Sequence, residues 1–469
     1  MALPYDSSLL APPRRSVLER ALCVFTEVRP GEGVTALVMV ANVFLILCSY
    51  YFVKPLRDGW IAIADIGGIS SMEVKAYTSF AQSLCLAAAV GVYARLASRW
   101  PRRDLILRST LFCISNLLLF WLLRPDFLGE QMPGAAVAFY IWVGMFGVFV
   151  VSQFWAFAAD LYADERGARL LPLIAIGATS GAVAGSFLTG ALLRPGMLGS
   201  GDLLLIAIVP LAASMLLIAV ADTRGPTGEG PEAAARETAA APAAGHGVGA
   251  LNLVLRHRYL LAVAGVTLFT AWVSTNGENL LFKVLQDALA AELPARGVTS
   301  SAEMKAFVRD YTTAFYGNFF FWVNVSALIL QALLASRLLR YGGFGLILLL
   351  LPVISLLGYS AMALAPILLV VRIMKTAENS TAYSINNTAR QVLWLPTTAE
   401  MKYKAKPEIE TFFVRFGDGL AAVTILVGVH LFTLSTQSFF VINAALVVAW
   451  LLIASVVVHE HRRLVTRET

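Results

Sequence analysis

The chain has 469 residues, 58% of them hydrophobic and 14% charged, with a mean hydropathy of +0.72 and a net charge of +6. That balance excludes a soluble domain of this size and marks an integral membrane protein. The positive excess does not point to nucleic acid, because Arg and Lys sit in short clusters at the ends of apolar runs, where they set orientation.

Along the chain, residues 1–33 form an N-terminal segment in which Ser16 to Val28 reads as an amphipathic helix on the cytoplasmic surface. Ser16 and Glu19 stand there in capping-box spacing. The first long apolar run begins near Val34, exceeds a signal-peptide core and lacks a small-residue cleavage site, so it stays as a spanning helix. Spans are expected at 34–56, 74–96, 104–123, 135–159, 170–193 and 202–221, punctuated by Pro, Gly and charge. Residues 222–250, rich in Ala, Gly and Pro without apolar periodicity, read as a disordered cytoplasmic linker. A second set follows at 259–284, 310–335, 344–364, 367–394, 409–433 and 438–457, and 459–469 is a cytoplasmic tail. The expected fold is all-α and membrane-embedded, with twelve transmembrane helices in two six-helix pseudo-repeats, 34–221 and 251–458.

Arg and Lys of the two tails and the even-numbered loops outnumber those of the opposite loops several-fold, which puts both termini on the cytoplasmic side of an inner membrane. The halves also echo one another. At an offset of 229, Lys54, Leu56 and Asp58 fall on Lys283, Leu285 and Asp287; at 240, Asp160 falls on Glu400 and Gly177 on Gly417.

Cys23, Cys48, Cys85 and Cys113 show no CxxC spacing, the five histidines form no buried helical pair, and GxxxxGK[ST] and HExxH are absent. No metal, no cofactor and no enzymatic activity are expected, and any transport is secondary. The polar residues inside the spans carry the functional signal, since each is costly against lipid. Arg372, Lys375, Asn379, Tyr383, Asn386 and Arg390 recur at spacings of three or four and form one helical stripe. Such a stripe lines a water-filled path or supplies interhelical hydrogen bonds and ion pairs. Tyr50, Lys54 and Arg57 share a face at the end of the first helix, with Lys283 as a second-half counterpart. These cations either neutralise an anionic substrate or, for the lysines, pair with Asp58 and Asp287 four residues on.

Glu278 and Glu378 are candidate proton-linked acids or counter-ions, and Arg415 with Asp418 is a gating pair or an internal ion pair. ARLASRWPRR, Ala94 to Arg103, resembles the major facilitator signature loop, with Leu96, Arg99, Arg102 and Arg103 matching. By analogy Arg99 pairs with Asp160 in an inner gate, with Glu400 at the equivalent place in the second half; alternatively the arginines set topology.

VRPGEG (Val28 to Gly33), SYYFVKPLRD (Ser49 to Asp58), FWAFAADLYADERGARLLPLIAIGATSGAVAG (Phe154 to Gly185) and KYKAKPEIETFFVRFGDGLAA (Lys402 to Ala422) resemble bacterial members of the ATP/ADP translocase family. This is the non-mitochondrial nucleotide transporter group of the major facilitator superfamily. The resemblance covers both halves and implies twelve helices, a nucleotide-type anionic substrate and exchange of ATP for ADP, with Lys54 most like the family's first-helix lysine. A monomer in the bilayer is expected. The alternatives are a proton-coupled exporter of an amphipathic compound, in which the acids matter more than the basic stripe, and a transport-dead membrane scaffold.

Overall fold

The structure is a computed structural model that describes residues 16–23, 26–97, 99–100, 102–132, 134–162, 164–193, 198–222, 248–296, 300–398 and 400–468. The expected linker therefore lies, from 223 to 247, outside the described residues. Within them the chain forms twelve long helices. In the first half these are α1 (Gly33–Ala62), α2 (Ser71–Ala97), α3 (Arg102–Leu122), α4 (Gly134–Leu161), α5 (Asp164–Leu192) and α6 (Asp202–Asp222).

The second half opens with α7 (Arg258–Glu292) and α8, which runs from Ser301–Leu330 through a π-turn at Gln331–Ala335. Helical structure continues over Ser336–Leu364 but is broken at Gly343, whose φ of 67° only glycine adopts cheaply; there the chain reverses into α9. Next, α10 joins Leu368–Thr381, a π-turn at Ala382–Asn386 and Asn387–Val392. Two π-turns, Met401–Ala405 and Ile409–Phe413, precede the regular part of α11, Val414–His430, and α12 is Thr436–Glu468. Among the described residues nine stretches are long and apolar enough to cross a membrane, one of them, Ser301–Leu364, holding α8 and α9 together. The protein is a multi-pass membrane protein.

Packing repeats between halves. In the first half α1 lies at the centre against α4, α5 and α6; in the second α7 lies against α10, α11 and α12. The glycines that matched by sequence offset occupy matching contacts. A Cβ at Gly177 of α5 would stand 2.7 Å from the Val40 carbonyl of α1, and one at Gly417 of α11 would stand 2.7 Å from the Leu268 carbonyl of α7. Backbones approach there as closely as side-chain-free residues allow. The halves meet along two seams, α2 with α11 and α5 with α8, and α8 also packs along α1.

Two boundaries differ from the sequence reading. The first span continues beyond Lys54-Pro55 to Ala62, because Lys54 and Asp58 are buried inside the bundle and nothing forces the chain out of the helix there. The N-terminal helix is only Val17–Leu22. Its capping box is formed, with Glu19 N–H donating to Ser16 Oγ at 3.2 Å and Ser16 N–H to Glu19 Oε2 at 2.7 Å. It ends early because Glu19 also accepts the Gly31 N–H at 2.6 Å, folding residues 26–32 back as a strap in which Val28 is fully buried.

Glu32 then anchors the strap to α5. Arg169 donates to both its carboxylate oxygens at 3.1 Å and Arg166 lies 3.2 Å away. Burial pushes the Glu32 carboxyl upward, but the Arg169 hydrogen bonds, the Arg29 N–H and the two guanidinium charges outweigh it and hold the group below its ordinary range.

Candidate functional site

Among the described residues the strap before α1 and the end of α12 lie on one side of the bundle, the terminal side, and the turns joining α1 to α2 and α11 to α12 lie on the far side. Deep between them, α1 turns Tyr51 and Lys54 toward α8 and α10, while the Tyr50 ring packs on Phe146 and Gly147 of α4. The Lys54 ammonium is 3.9 Å from the Phe320 ring centroid, 5.1 Å from Tyr51, 5.8 Å from Tyr50 and 5.9 Å from Tyr383. No carboxylate oxygen lies within 4 Å of it among the described residues; aromatic faces hold the charge instead.

Asp58 has a different lysine. Lys75 of α2 meets its Oδ1 at 2.8 Å, and Arg57 Nε lies 3.6 Å from Oδ2 while its guanidinium sits 4.4 Å from the centre of Tyr140. Lys283, the second-half counterpart, pairs with Asp287 one turn on and stands toward the far end of α7, apart from the Lys54 cage.

The stripe on α10 holds together as one face but does several things. Arg372 donates to Asn318 of α8. Lys375 is fully buried, 3.0 Å from Glu378 and 3.8 Å from Glu278. Tyr359 lies 3.3 Å from the same Glu378, and Asn379 donates to Glu278 at 2.7 Å. Tyr383 reaches the Lys54 cage, while Asn386 and Arg390 line a cleft on the terminal side with residues of α7 and α11. Counting Lys54, Arg57, Lys75 and Lys375 against Asp58, Glu278 and Glu378 leaves one positive charge in excess, and Lys54 is the cation without a carboxylate.

Contacts between the halves bolt the far side. Arg309 of α8 meets Asp126 of the α3–α4 connection at 3.0 Å, and His430 at the end of α11 meets Glu73 at the start of α2 at 2.7 Å. Lys75 donates to the Tyr316 hydroxyl at 3.1 Å, and a Cβ at Gly59 would stand 2.7 Å from the Arg309 carbonyl. Near mid-bundle, Asp418 accepts from Ser83 of α2 at 2.6 Å and from Thr275 of α7 at 2.8 Å, with Arg415 3.3 Å away. Asp418 thus joins the halves rather than only pairing with its neighbour on α11.

Of the gate candidates, Arg99 is exposed in the turn between α2 and α3, and Glu400 is exposed and paired with Lys404 at 2.9 Å. That Lys404 contact holds the Glu400 carboxyl below its ordinary range. The side chains of Asp160, Arg102 and Arg103 lie outside the described residues.

Lys75, Tyr316 and Phe320 escaped the sequence reading. Lys75 stands one residue inside the expected second span with no partner at helical spacing to mark it, and the two aromatics lie in a run of apolar residues with nothing local to single them out. The usable signal was Asp58, which needs a partner once Lys54 turns to the rings.

No family model and no curated protein sequence matches this chain. Solved structures do. The nucleoside transporter NupG aligns with a TM-score of 0.62 at 13% identity, over 90% of this chain and 98% of that one. The POT family transporter PepTSo aligns at 0.58 and 12%, over 92% and 98%. The human organic anion transporter MFSD10 aligns at 0.53 and 14%, over 91% and 100%. Identities this low speak of fold alone, and with two pseudo-repeated halves of six helices matching whole carriers, the chain has the major facilitator-type fold.

Proposed function

We propose that this protein is a secondary transporter that moves an organic anion, a nucleotide in ATP/ADP-type exchange, across the inner membrane by alternating access. One observation carries the reading: Lys54 is a buried ammonium held by four aromatic rings and, among the described residues, by no carboxylate within 4 Å, in a cluster with one positive charge in excess. A phosphate entering there gains charge-assisted hydrogen bonds without first breaking an internal ion pair. Tyr50 and Tyr383 offer π-faces beside that cation to a heteroaromatic base. Carriers of nucleosides and of organic anions among the solved structures of the same fold support a solute carrier of this kind.

In this reading both termini and the linker are cytoplasmic, the far side faces outward, and Arg99, Asp160 and Glu400 belong to the inner gate. The carrier acts as a monomer in the bilayer without a cofactor. Thermal stabilisation of the purified wild type by ATP, ADP and inorganic tripolyphosphate, with adenosine as the neutral control, tests the anion. Stabilisation by the phosphorylated compounds, and their exchange in proteoliposomes, is the expected result. A second reading rests on Glu378, a buried carboxylate between Lys375 and Tyr359. If a neutral or cationic amphipathic compound stabilises and crosses while phosphorylated anions do neither, proton-coupled export replaces anion exchange.

A further inference from the structure

The cleft on the terminal side of the second half, about 230 Å³, is bounded by α7, α10 and α11. Its polar wall carries Arg390 and Asn386 from α10, Glu410 from α11, and Ser274 from α7. Arg390 Nη2 lies 3.5 Å from Glu410 Oε1, a single contact between side chains 44% and 35% exposed, not a two-pronged fork. Asn386 is only 8% exposed, yet its carboxamide has no hydrogen-bond partner among the described residues and lines this cleft. The other carboxylate in the wall, Asp418, is taken up by Ser83, Thr275 and Arg415.

The backbone sets these groups apart as well. Asn386 is the last residue of one π-turn and Glu410 lies within another, so both stand on widened turns. Such turns recur where a helix gives up regular bonding to place side chains for function. Close by are an unpartnered amide, a guanidinium that has spent little of its bonding capacity, and one loosely held carboxylate.

We propose that Arg390 and Asn386 form an entry subsite for a phosphate or carboxylate group of the transported anion, which the Glu410 carboxylate occupies as a built-in substitute until the anion arrives. This rests on the anion reading above and adds a second station on the terminal side of the Lys54 cage. A half-exposed pair with one 3.5 Å contact is weak and screened by salt. A phosphate engages the guanidinium fork with two parallel bonds and accepts from the Asn386 amide, so it displaces Glu410.

The test inverts the usual direction of a charge deletion. Binding of ATP and of inorganic tripolyphosphate to purified full-length protein is measured for wild type, Glu410→Gln, Glu410→Asp and Arg390→Gln, at low and high salt. Glu410→Gln is expected to bind about two- to fivefold more tightly than wild type at low salt, with the gain fading at high salt. Glu410→Asp, which keeps the charge and controls for folding, is expected to bind like wild type, and Arg390→Gln more weakly. If wild type binds and Glu410→Gln binds equally or more weakly at an unchanged melting temperature, the pair is structural and the subsite is overturned alone. If wild type binds neither compound, the anion reading and the subsite fall together.

Discussion

Lys54 and Lys375 are both lysines sealed in the core of a membrane bundle, and they are held in opposite ways. Lys375 is fixed between Glu378 and Glu278, so its charge is balanced inside the protein. Lys54 rests on the rings of Phe320, Tyr51, Tyr50 and Tyr383, which attract a cation without neutralising it. Burial alone does not separate a structural charge from a working one; the partner does. A lysine bound to a carboxylate serves the fold, and one bound to ring faces keeps its charge available to a ligand.

The sharpest way to break this contrast is to remove Lys375. Lys375→Met leaves Glu378 buried beside only a tyrosine hydroxyl, and about 3–5 kcal/mol of stability is expected to go. Thermal melting in detergent checks it, and Glu378→Gln in the same chain is expected to restore most of the loss. Lys54→Gln is the counterpart. It strands no carboxylate, so the unliganded melting temperature is expected to hold, while affinity for a phosphorylated anion falls roughly ten- to a hundredfold. A Lys54→Gln protein that melts early with normal affinity would erase the distinction.

A third test concerns Lys75, which belongs to both classes: paired with Asp58 in its own half and touching Tyr316 across the seam. Tyr316→Phe keeps the ring and removes the hydroxyl. The far side is then expected to loosen by about 1 kcal/mol, read as a several-fold faster reaction of a cysteine at Thr313 with an impermeant thiol reagent. Unchanged reactivity would make the contact incidental.

The smallest effect is expected at the strap. Glu32 lies outside the spans with its carboxyl held below the ordinary value of 4.5. A lowered carboxyl stabilises the docked strap above that value and loses the contribution as pH falls through the lowered one. Protease cutting within residues 16–32 is expected to stay slow at neutral pH and to accelerate only below about pH 4.5. Acceleration already near pH 6 would mean that Glu32 is not the anchor.

The helices were legible from sequence because a span is a local property, a run of apolar residues interrupted by charge and glycine. The α10 stripe was legible for the same reason, since spacing within one helix fixes a face. What spacing does not fix is the partner. Lys54 and Lys283 both precede an aspartate by four residues, yet only Lys283 takes it, because α2 brings Lys75 to Asp58 and α8 brings Phe320 to Lys54. Phe320 is distant in sequence and sits in an apolar run, and Lys75 belongs to the next helix, so pairing among them is decided by how helices pack. The same holds for the π-turns of α10 and α11, which shift side chains within a helix and leave no mark on hydrophobic periodicity.

The close approach of α5 to α1 at Gly177, matched by α11 to α7 at Gly417, bears on how such a molecule moves. At those points only small groups, Val40 Cγ1 and Ala271 Cβ, stand beside the glycines, so little can rearrange between the paired helices. Across the seams the contact is mixed, backbone-close where Gly59 faces the Arg309 carbonyl and side-chain-mediated where Phe80 lies against Gly419, so parting the halves must release both kinds. A bulkier residue at Gly177 or Gly417 would push α5 from α1 or α11 from α7 within a half, whereas one at Gly419 would press on Phe80 at the joint between halves.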